Sequence, residues 1–567
     1  MSLRGVGVSP GIGHGPAYVL TVSVPEPPEG MTYTGEAEPE KDRATRALAQ
    51  VAGELEARGN QAGGEAREIL KAQALMAEDP GVVVKVRSLI DHGLAAPRAV
   101  YEAFTKYRDV LSGAGGYLGE RAADLNDIRD RAVALLTGQP MPGLPGDPPE
   151  PYVLVARDLA PADTALLSKE HVAAFVTEEG GPTSHTAIMA RGMGVPAVVA
   201  CAGATHLAPG VHVLVDGSTG EVRPEPSDSD VSQAYDAAVA GRDAVGAVRG
   251  PGRTADGHPV PLLANVGGPA DLDAALARGA EGVGLYRTEF LFLDKGQAPT
   301  QQEQESAYRA ALEAFPNGKV VVRTLDAGAD KPLAFLPPSA TEPNPALGER
   351  GLRLFRRYPA IMDAQLAALA AAAAGAAVSG AAASGAGAEL LVMAPMVATP
   401  EEADWFARAC HSHGLTRVGV MIEVPSAALR AGDLAGAVDF LSIGTNDLAQ
   451  YAFAADRQLG AVSALHDPWQ PALLDLIAAT LDGAAGTPTG ICGEAAADPA
   501  MACVLVGMGA ATLSMSPAAL PGVRAALAAH TLEQCGIAAR HARSQATAAR
   551  ARGAARAQLP GLGKLGL

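Results

Sequence analysis

From Ala37 to Thr137, apolar Ala, Leu, Ile and Met positions recur at helical spacing, with Glu and Arg between them and no strand-like alternation. Breaks near Gly59-Asn60, Glu78-Asp79-Pro80 and Ser112-Gly113-Ala114-Gly115-Gly116 divide this stretch into several predicted helices. Residues 4 to 21 read instead as one or two short strands around a Gly-rich bend, Ser9-Pro10-Gly11-Ile12-Gly13-His14-Gly15. The glycine spacing does not match a dinucleotide-binding turn, and no helix follows it. Gly138 to Pro151 is a Pro/Gly-rich linker. Residues 152–224 then alternate short helices with short apolar strands, such as Tyr152-Val153-Leu154-Val155 and Val211-His212-Val213-Leu214-Val215. A polar helical segment covers residues 227–248.

From residue 258 to residue 530 the rhythm is strand, loop, helix. Strand candidates begin near Pro261, Gly282, Lys319, Leu390, Arg417, Val438, Pro488 and Ala511. Eight β/α units over roughly 270 residues match a (β/α)8 barrel in number and size. In that architecture chemistry sits at the carboxyl ends of the strands, where polar residues should therefore gather. Asn265, Arg287 with Glu289, Arg323 with Asp326, Glu423, Asn446 with Asp447, and Cys492 with Glu494 all fall there.

Composition narrows the function classes. The 567 residues exceed one hydrophobic core, and 48% hydrophobic with 19% charged residues is a globular composition. A net charge of −18 disfavours nucleic acid or an anionic membrane as the main partner and favours a basic protein. Met1-Ser2-Leu3-Arg4-Gly5 lacks the apolar run of a signal peptide, and Ala367 to Ala388 is too poor in Leu, Ile and Val to prefer lipid. Cysteines 201, 410, 492, 503 and 535 form no C-x-x-C pair, so free thiols in a reducing cytoplasm are expected. After Arg540 the chain carries Arg543, Arg550, Arg552, Arg556 and Lys564 with no acidic residue, which predicts a frayed helical extension with a solvated basic face.

The strongest local signal is Gly180-Gly181-Pro182-Thr183-Ser184-His185-Thr186-Ala187-Ile188-Met189-Ala190-Arg191. A glycine pair permits a tight turn, and a helix then begins with His185 at its amino terminus. Backbone N–H groups and the helix dipole favour an anion there, and a phosphorylated imidazole is one. His185 therefore reads as a covalent nucleophile. The other histidines, His206 and His541 among them, read as structural.

That stretch resembles the phosphohistidine signature of enzymes that use phosphoenolpyruvate: Enzyme I of the sugar phosphotransferase system, phosphoenolpyruvate synthase and pyruvate phosphate dikinase. Gly282-Val283-Gly284-Leu285-Tyr286-Arg287-Thr288-Glu289-Phe290-Leu291-Phe292 resembles the second-strand motif of their barrel. Asp439 to Tyr451, with Gly444-Thr445-Asn446-Asp447 at its centre, resembles the magnesium and phosphate motif, and Gly490-Ile491-Cys492-Gly493-Glu494 the proton-donor motif. The synthase and dikinase need a further ATP-binding domain for which the length leaves no room. The helical stretch resembles the carrier-docking insertion of Enzyme I, including Glu120-Arg121-Ala122-Ala123-Asp124-Leu125-Asn126-Asp127-Ile128 near its end.

The resemblance implies a swivelling α/β phosphohistidine domain (1–21 and 145–226) with an inserted helical subdomain (22–144) that binds the histidine-containing phosphocarrier protein HPr. A linker helix (227–255), a (β/α)8 phosphoenolpyruvate-binding barrel (256–535) and a basic Ala/Arg-rich tail (536–567) follow. Arg287, Arg323, Arg457 and Arg350 would hold the substrate anion, since guanidinium groups give bidentate, permanently charged contacts. Asn446 would donate to it. Glu423 and Asp447 would ligate Mg²⁺, Cys492 would protonate the pyruvate enolate, and Thr164 would orient His185. A homodimer through the barrel is expected, in the cytoplasm, with no nucleic acid and no membrane as partner. The sequence departs from many Enzyme I chains at Pro182, where they carry Arg. Two alternatives are a non-catalytic phosphoenolpyruvate-binding regulatory relative and a nucleotide-dependent dikinase fragment. Cys492, Glu423 and Asp447 weigh against the regulatory relative, because a sensor has little use for a proton donor.

Overall fold

The amino-terminal sheet is assembled from two separated stretches of chain. The computed structural model describes residues 2–20, 25–62, 64–114, 122–139, 148–157, 159, 167–181, 185–293, 295–329, 331–336, 342, 344–378, 388–457, 460–484 and 486–567. It divides into two units, Met1–Val231 and Ser232–Leu567. In the first, β1 (Leu3–Arg4), β2 (Val6–Ser9) and β3 (Ile12–Val19) precede α1 (Ala37–Ala62), α2 (Gly64–Ala77), α3 (Pro80–Asp91), α4 (Ala96–Ala114) and α5 (Ala122–Thr137). The chain returns with β4 (Tyr152–Ala156), β5 (Val172–Thr177), α6 (His185–Met193), β6 (Ala197–Val199), β7 (His212–Asp216) and β8 (Glu221–Pro224). The strand order is β1-β8-β7-β3-β4-β5-β6-β2. Thus β3 and β4, on either side of the helical insertion, are parallel neighbours with Ala17 opposite Val153.

The insertion has its own core, in which Leu48, Val51, Leu55, Val86, Ile90, Phe104 and Ile128 are buried together. The break at Asp79-Pro80 works as a helix start: Asp79 accepts from Gly81 N (2.8 Å) and Val82 N (3.1 Å), and Pro80 opens α3. The Gly-rich bend is shorter than expected. It turns at Gly11 (φ +127°), while Gly13, His14 and Gly15 lie inside β3. A Cβ on Gly13 would sit 2.2 Å from the Ala173 carbonyl oxygen, so glycine there serves close backbone approach within the sheet.

In the second unit α7 (Asp228–Ala247), whose start lies in the first, is followed by β9 (Leu262–Val266), β10 (Val283–Tyr286), β11 (Lys319–Arg323), β12 (Glu389–Ala394), β13 (Val418–Ile422), β14 (Phe440–Ile443), β15 (Thr489–Ile491) and β16 (Thr512–Met515). These strands close into a barrel, all neighbours parallel, with β16 pairing β9. Each starts within two residues of the position read from the sequence. Leu285, Val321, Leu391, Met393, Met421, Phe440 and Cys492 form one buried cluster contributed by these strands and the residue after β15. The Ala-rich run extends the helix Pro359–Val378, and residues 379–387 lie outside the described residues.

The tail is not frayed. Helices Leu532–Arg543 and Ala548–Ala557 bury Cys535, Ala538, Ala539, Ala542, Ala551 and Ala555 in the barrel's core cluster, and Leu559 and Leu562 follow. The basic charge dominates the sequence reading, but the alanines recur at helical spacing and their small side chains let the helices pack closely. All five cysteines are free and buried. Among the described residues no helix is long and apolar enough to cross a membrane.

Candidate active site

The rim at the carboxyl ends of the barrel strands collects the charges expected there. Arg323 is the last residue of β11, Glu423 and Cys492 directly follow β13 and β15, and Asn446 and Asp447 open the helix Thr445–Ala452 after β14. Arg287, after β10, is exposed, and its backbone N–H donates to Val266 O at 2.8 Å. Arg457 is also exposed; its N–H donates to Gln450 Oε1 (3.1 Å), and its Nη1 lies 3.7 Å from Asp447 Oδ2.

Beneath these two, Arg323 and Arg350 are buried. Arg323 pairs with Glu289 through Nη2 and lies 3.4 Å from Asp326 Oδ2 through Nη1. Arg350 forks onto Asp326, Nε to Oδ1 and Nη2 to Oδ2, each at 2.8 Å. Its Nη1 donates to Asp447 Oδ1 (3.2 Å) and to the Tyr451 hydroxyl (3.3 Å). Lys331 Nζ adds a third cation to Asp326 at 3.0 Å. Burial opposes the charge of Asp326, but Arg323, Arg350 and Lys331 outweigh it and hold the carboxyl well below its usual range. Burial likewise opposes the charge of Arg323, and Glu289 and Asp326 more than restore it.

Glu423 is in the opposite position. Burial, and next the negative charge of Asp447, push its carboxyl up to about 7 despite Arg323 and the hydrogen bond from Met396 N to Oε1 (2.7 Å). A Cβ built on Gly444 would lie 3.0 Å from Glu423 Oε2, so the glycine keeps the space beside that oxygen open. Two neighbouring buried carboxylates, Glu423 and Asp447, suit a hard divalent cation taking further oxygens from a ligand. Among the described residues no third His, Cys, Asp or Glu completes a cage. Glu289 Oε2 and Arg323 Nε are buried without a hydrogen-bond partner among the described residues, so the site's own groups do not satisfy it.

Burial pushes the Cys492 thiol up to about 11; a hydrogen bond with Ser442 works the other way. The thiol therefore keeps its proton at neutral pH, as a general acid must. Asn265 Nδ2 donates to Cys492 O at 2.9 Å, and Ser514 Oγ donates to Asn265 Oδ1 at 2.6 Å, holding the end of β15. Asn446 Oδ1 accepts from Glu494 N at 3.0 Å, which leaves the amide NH₂ as the group Asn446 offers a ligand.

The barrel thus brings together Arg287, Arg323, Arg350, Asn446, Arg457, Glu423, Asp447 and Cys492. His185 is the first residue of α6, at a helix amino terminus in the other unit. Thr164, Pro182, Thr183 and Ser184 lie outside the described residues. The sequence reading noted Asp326 as a polar strand-end residue and assigned it no role. It missed Lys331 and Tyr451, although Tyr451 closes the Asp439–Tyr451 motif; nothing local marks Lys331.

Three family models match the chain: the PEP-utilising enzyme N-terminal model over residues 4–121, the mobile-domain model over 148–220 and the PEP-binding-domain model over 244–532. A protein of Streptomyces coelicolor named phosphoenolpyruvate-protein phosphotransferase is 56% identical over 564 residues, covering 99% of each chain. One of the same name from Haloferax volcanii is 42% identical over 547 residues, 93% of this chain and 94% of that one. The Bacillus subtilis protein of that name is 38% identical over 541 residues, 91% and 92%.

Proposed function

This chain belongs to the PEP-utilising enzyme family, and we propose that it is a phosphotransferase whose barrel passes the phosphoryl group of phosphoenolpyruvate to His185 and from there to a histidine phosphocarrier protein. The observation that carries the reading is one strand-end rim holding arginines, a buried carboxylate pair and a protonated thiol. Phosphoenolpyruvate needs each of them: cations for a compact polyanion, oxygen ligands that would hold a metal to offset its charge, and an acid for the carbon left behind.

Arg287 and Arg457, exposed at the rim, bind the phosphate and carboxylate, with Arg323 below them and Asn446 donating its NH₂. Arg350, expected as a further substrate contact, is only 1% exposed and acts instead as a positioning residue for Asp326 and Asp447. Glu423 and Asp447 would hold Mg²⁺, which, when bound, neutralises charge on the transferred group. As the P–O bond to the enol oxygen breaks, the imidazole of His185 takes the phosphoryl group, and the electron pair stays with the enolate. Cys492 then gives its proton to the methylene carbon, yielding pyruvate and a thiolate that regains a proton from solvent. Thr164 orients His185 on the resemblance stated above, and a homodimer in the cytoplasm belongs to the same proposal.

The test is incubation with phosphorus-labelled phosphoenolpyruvate, with and without Mg²⁺ and nucleotide. Acid-labile, base-stable label that needs Mg²⁺, ignores nucleotide and vanishes in His185→Ala supports the reading. Dependence on ATP or AMP would replace it with a dikinase.

A further inference from the structure

The carboxyl-terminal helices reach back to the rim. Ala548–Ala557 buries Ala551 and Ala555 against the barrel, and Arg552 between them is only 23% exposed. Its Nη2 donates to Asp467 Oδ1 (3.5 Å), and its guanidinium carbon stands 5.9 Å from the centroid of the Trp469 ring. Asp467 Oδ1 also accepts from Trp469 N (3.0 Å), and the fully buried indole donates through Nε1 to Asp498 Oδ2 at 3.0 Å. Asp498 in turn caps the helix Pro499–Gly507, just beyond Cys492.

Asp467 follows His466 in the chain, and the buried His466 ring lies against the backbone of Ala455 and Asp456, directly before Arg457. The contacts therefore run without a gap from Arg552 through Asp467 and His466 to the backbone that carries Arg457. Asp467 is mostly buried, which disfavours its charge, and Arg552 is the cation that offsets this. Without that guanidinium the carboxylate must take up a proton or turn towards water. Either change would loosen the packing of His466 at Ala455 and Asp456.

We infer that the carboxyl-terminal segment is a working part of the phosphoenolpyruvate site, with Arg552 as a positioning residue that holds Arg457 in place through Asp467 and His466. The inference rests on the reading of Arg457 as a phosphoenolpyruvate ligand. Placement errors of about an ångström cost up to about a hundredfold in rate, so a distant anchor can show in kinetics.

The test uses the full chain, with Arg552→Ala, Arg552→Lys and Arg457→Ala assayed in two directions. Arg552→Ala should raise the KM for phosphoenolpyruvate about tenfold, while transfer from the phosphorylated carrier back to His185, which does not use the barrel, keeps its rate. Arg552→Lys, which keeps the charge but loses the fork and the stack, should fall between. An Arg552→Ala protein with a lowered Tm and unchanged kinetics would make the segment a mere stabiliser and overturn the inference. Should that variant not fold, Arg552→Lys and Asp467→Asn carry the comparison, and an unchanged KM in both overturns it equally. An unchanged KM in Arg457→Ala removes the reading of Arg457 itself, and the inference falls with it. A raised KM in Arg457→Ala beside a normal one in Arg552→Ala removes the inference alone.

Discussion

Arg350 grips Asp326 with two parallel hydrogen bonds of 2.8 Å, Nε to Oδ1 and Nη2 to Oδ2, at a point from which water is excluded. Arg323 and Lys331 share the same carboxylate, so one aspartate sets the positions of three cations below the rim. Removing one partner of such a buried set leaves the others uncompensated. Asp326→Ala should therefore destabilise the barrel by about 3–5 kcal/mol, read from denaturant unfolding. Asp326→Asn keeps the shape, and should fold better yet bind phosphoenolpyruvate poorly because Arg323 loses its placement. If Asp326→Asn keeps a normal KM, the cations need no anionic anchor.

As the proposed proton donor, Cys492 should separate the two halves of the reaction. Cys492→Ala should lose most turnover with phosphoenolpyruvate and still accept a phosphoryl group from the phosphorylated carrier, because no carbon acid takes part in that step. With the thiol pushed up to about 11, its alkylation should be slow near neutrality and speed up only in alkaline solution. Rapid modification at neutral pH would contradict a protonated acid at this position.

If Glu423 holds Mg²⁺ as proposed, metal and proton compete for the same carboxylate. Its carboxyl is raised from an ordinary 4.5 to about 7, so the folded protein holds this proton over a window where the unfolded chain has released it. The stabilisation is fully present below the unfolded value and is lost as the pH rises through about 7. Metal-free protein should thus lose stability across that window, on the order of 3 kcal/mol from this group. Mg²⁺ should take the proton's place, restoring Tm near neutrality and releasing protons on binding. Glu423→Gln should flatten the pH dependence. Calorimetric Mg²⁺ titrations in buffers of different ionisation enthalpy check the release, and identical heats would refute it.

On the helical insertion Leu75 is 77% exposed, while Leu70 and Met76 are half-buried against the helical core. An apolar patch at Ile69, Leu70, Leu75 and Met76, ringed by Glu65, Glu68 and Glu78, is expected to dock the carrier. The side chains of Glu65, Glu68 and Ile69 lie outside the described residues. Leu75→Ala and Glu78→Lys should slow transfer to the carrier and leave self-phosphorylation intact, and added salt should mimic the charge reversal. Equal loss of both steps would make the patch part of the fold rather than a surface for a partner.

Much of this protein is legible along the chain, because strand and helix periods are local properties of the backbone. The barrel strands could be placed to within two residues, since each is a short apolar run, six of them with a polar residue at or just past the carboxyl end. Cys492, Glu423 and Asn446-Asp447 stand out for the same reason, as reactive side chains set against such runs, and His185 stands out by the glycine pair before it and the helix it opens. What each charge faces was not legible. Arg350 reads in sequence as one more substrate ligand, and nothing local foretells that its fork meets Asp326, 24 residues away. Arg552 reads as a solvated tail charge until the fold sets it against Asp467 and Trp469, 85 residues from Asp467. Period and motif follow from neighbours in sequence. Whether a guanidinium meets a substrate, a buried carboxylate or water depends on which distant segments barrel closure packs around it, and that geometry also decides which carboxyl is held ionised and which keeps its proton.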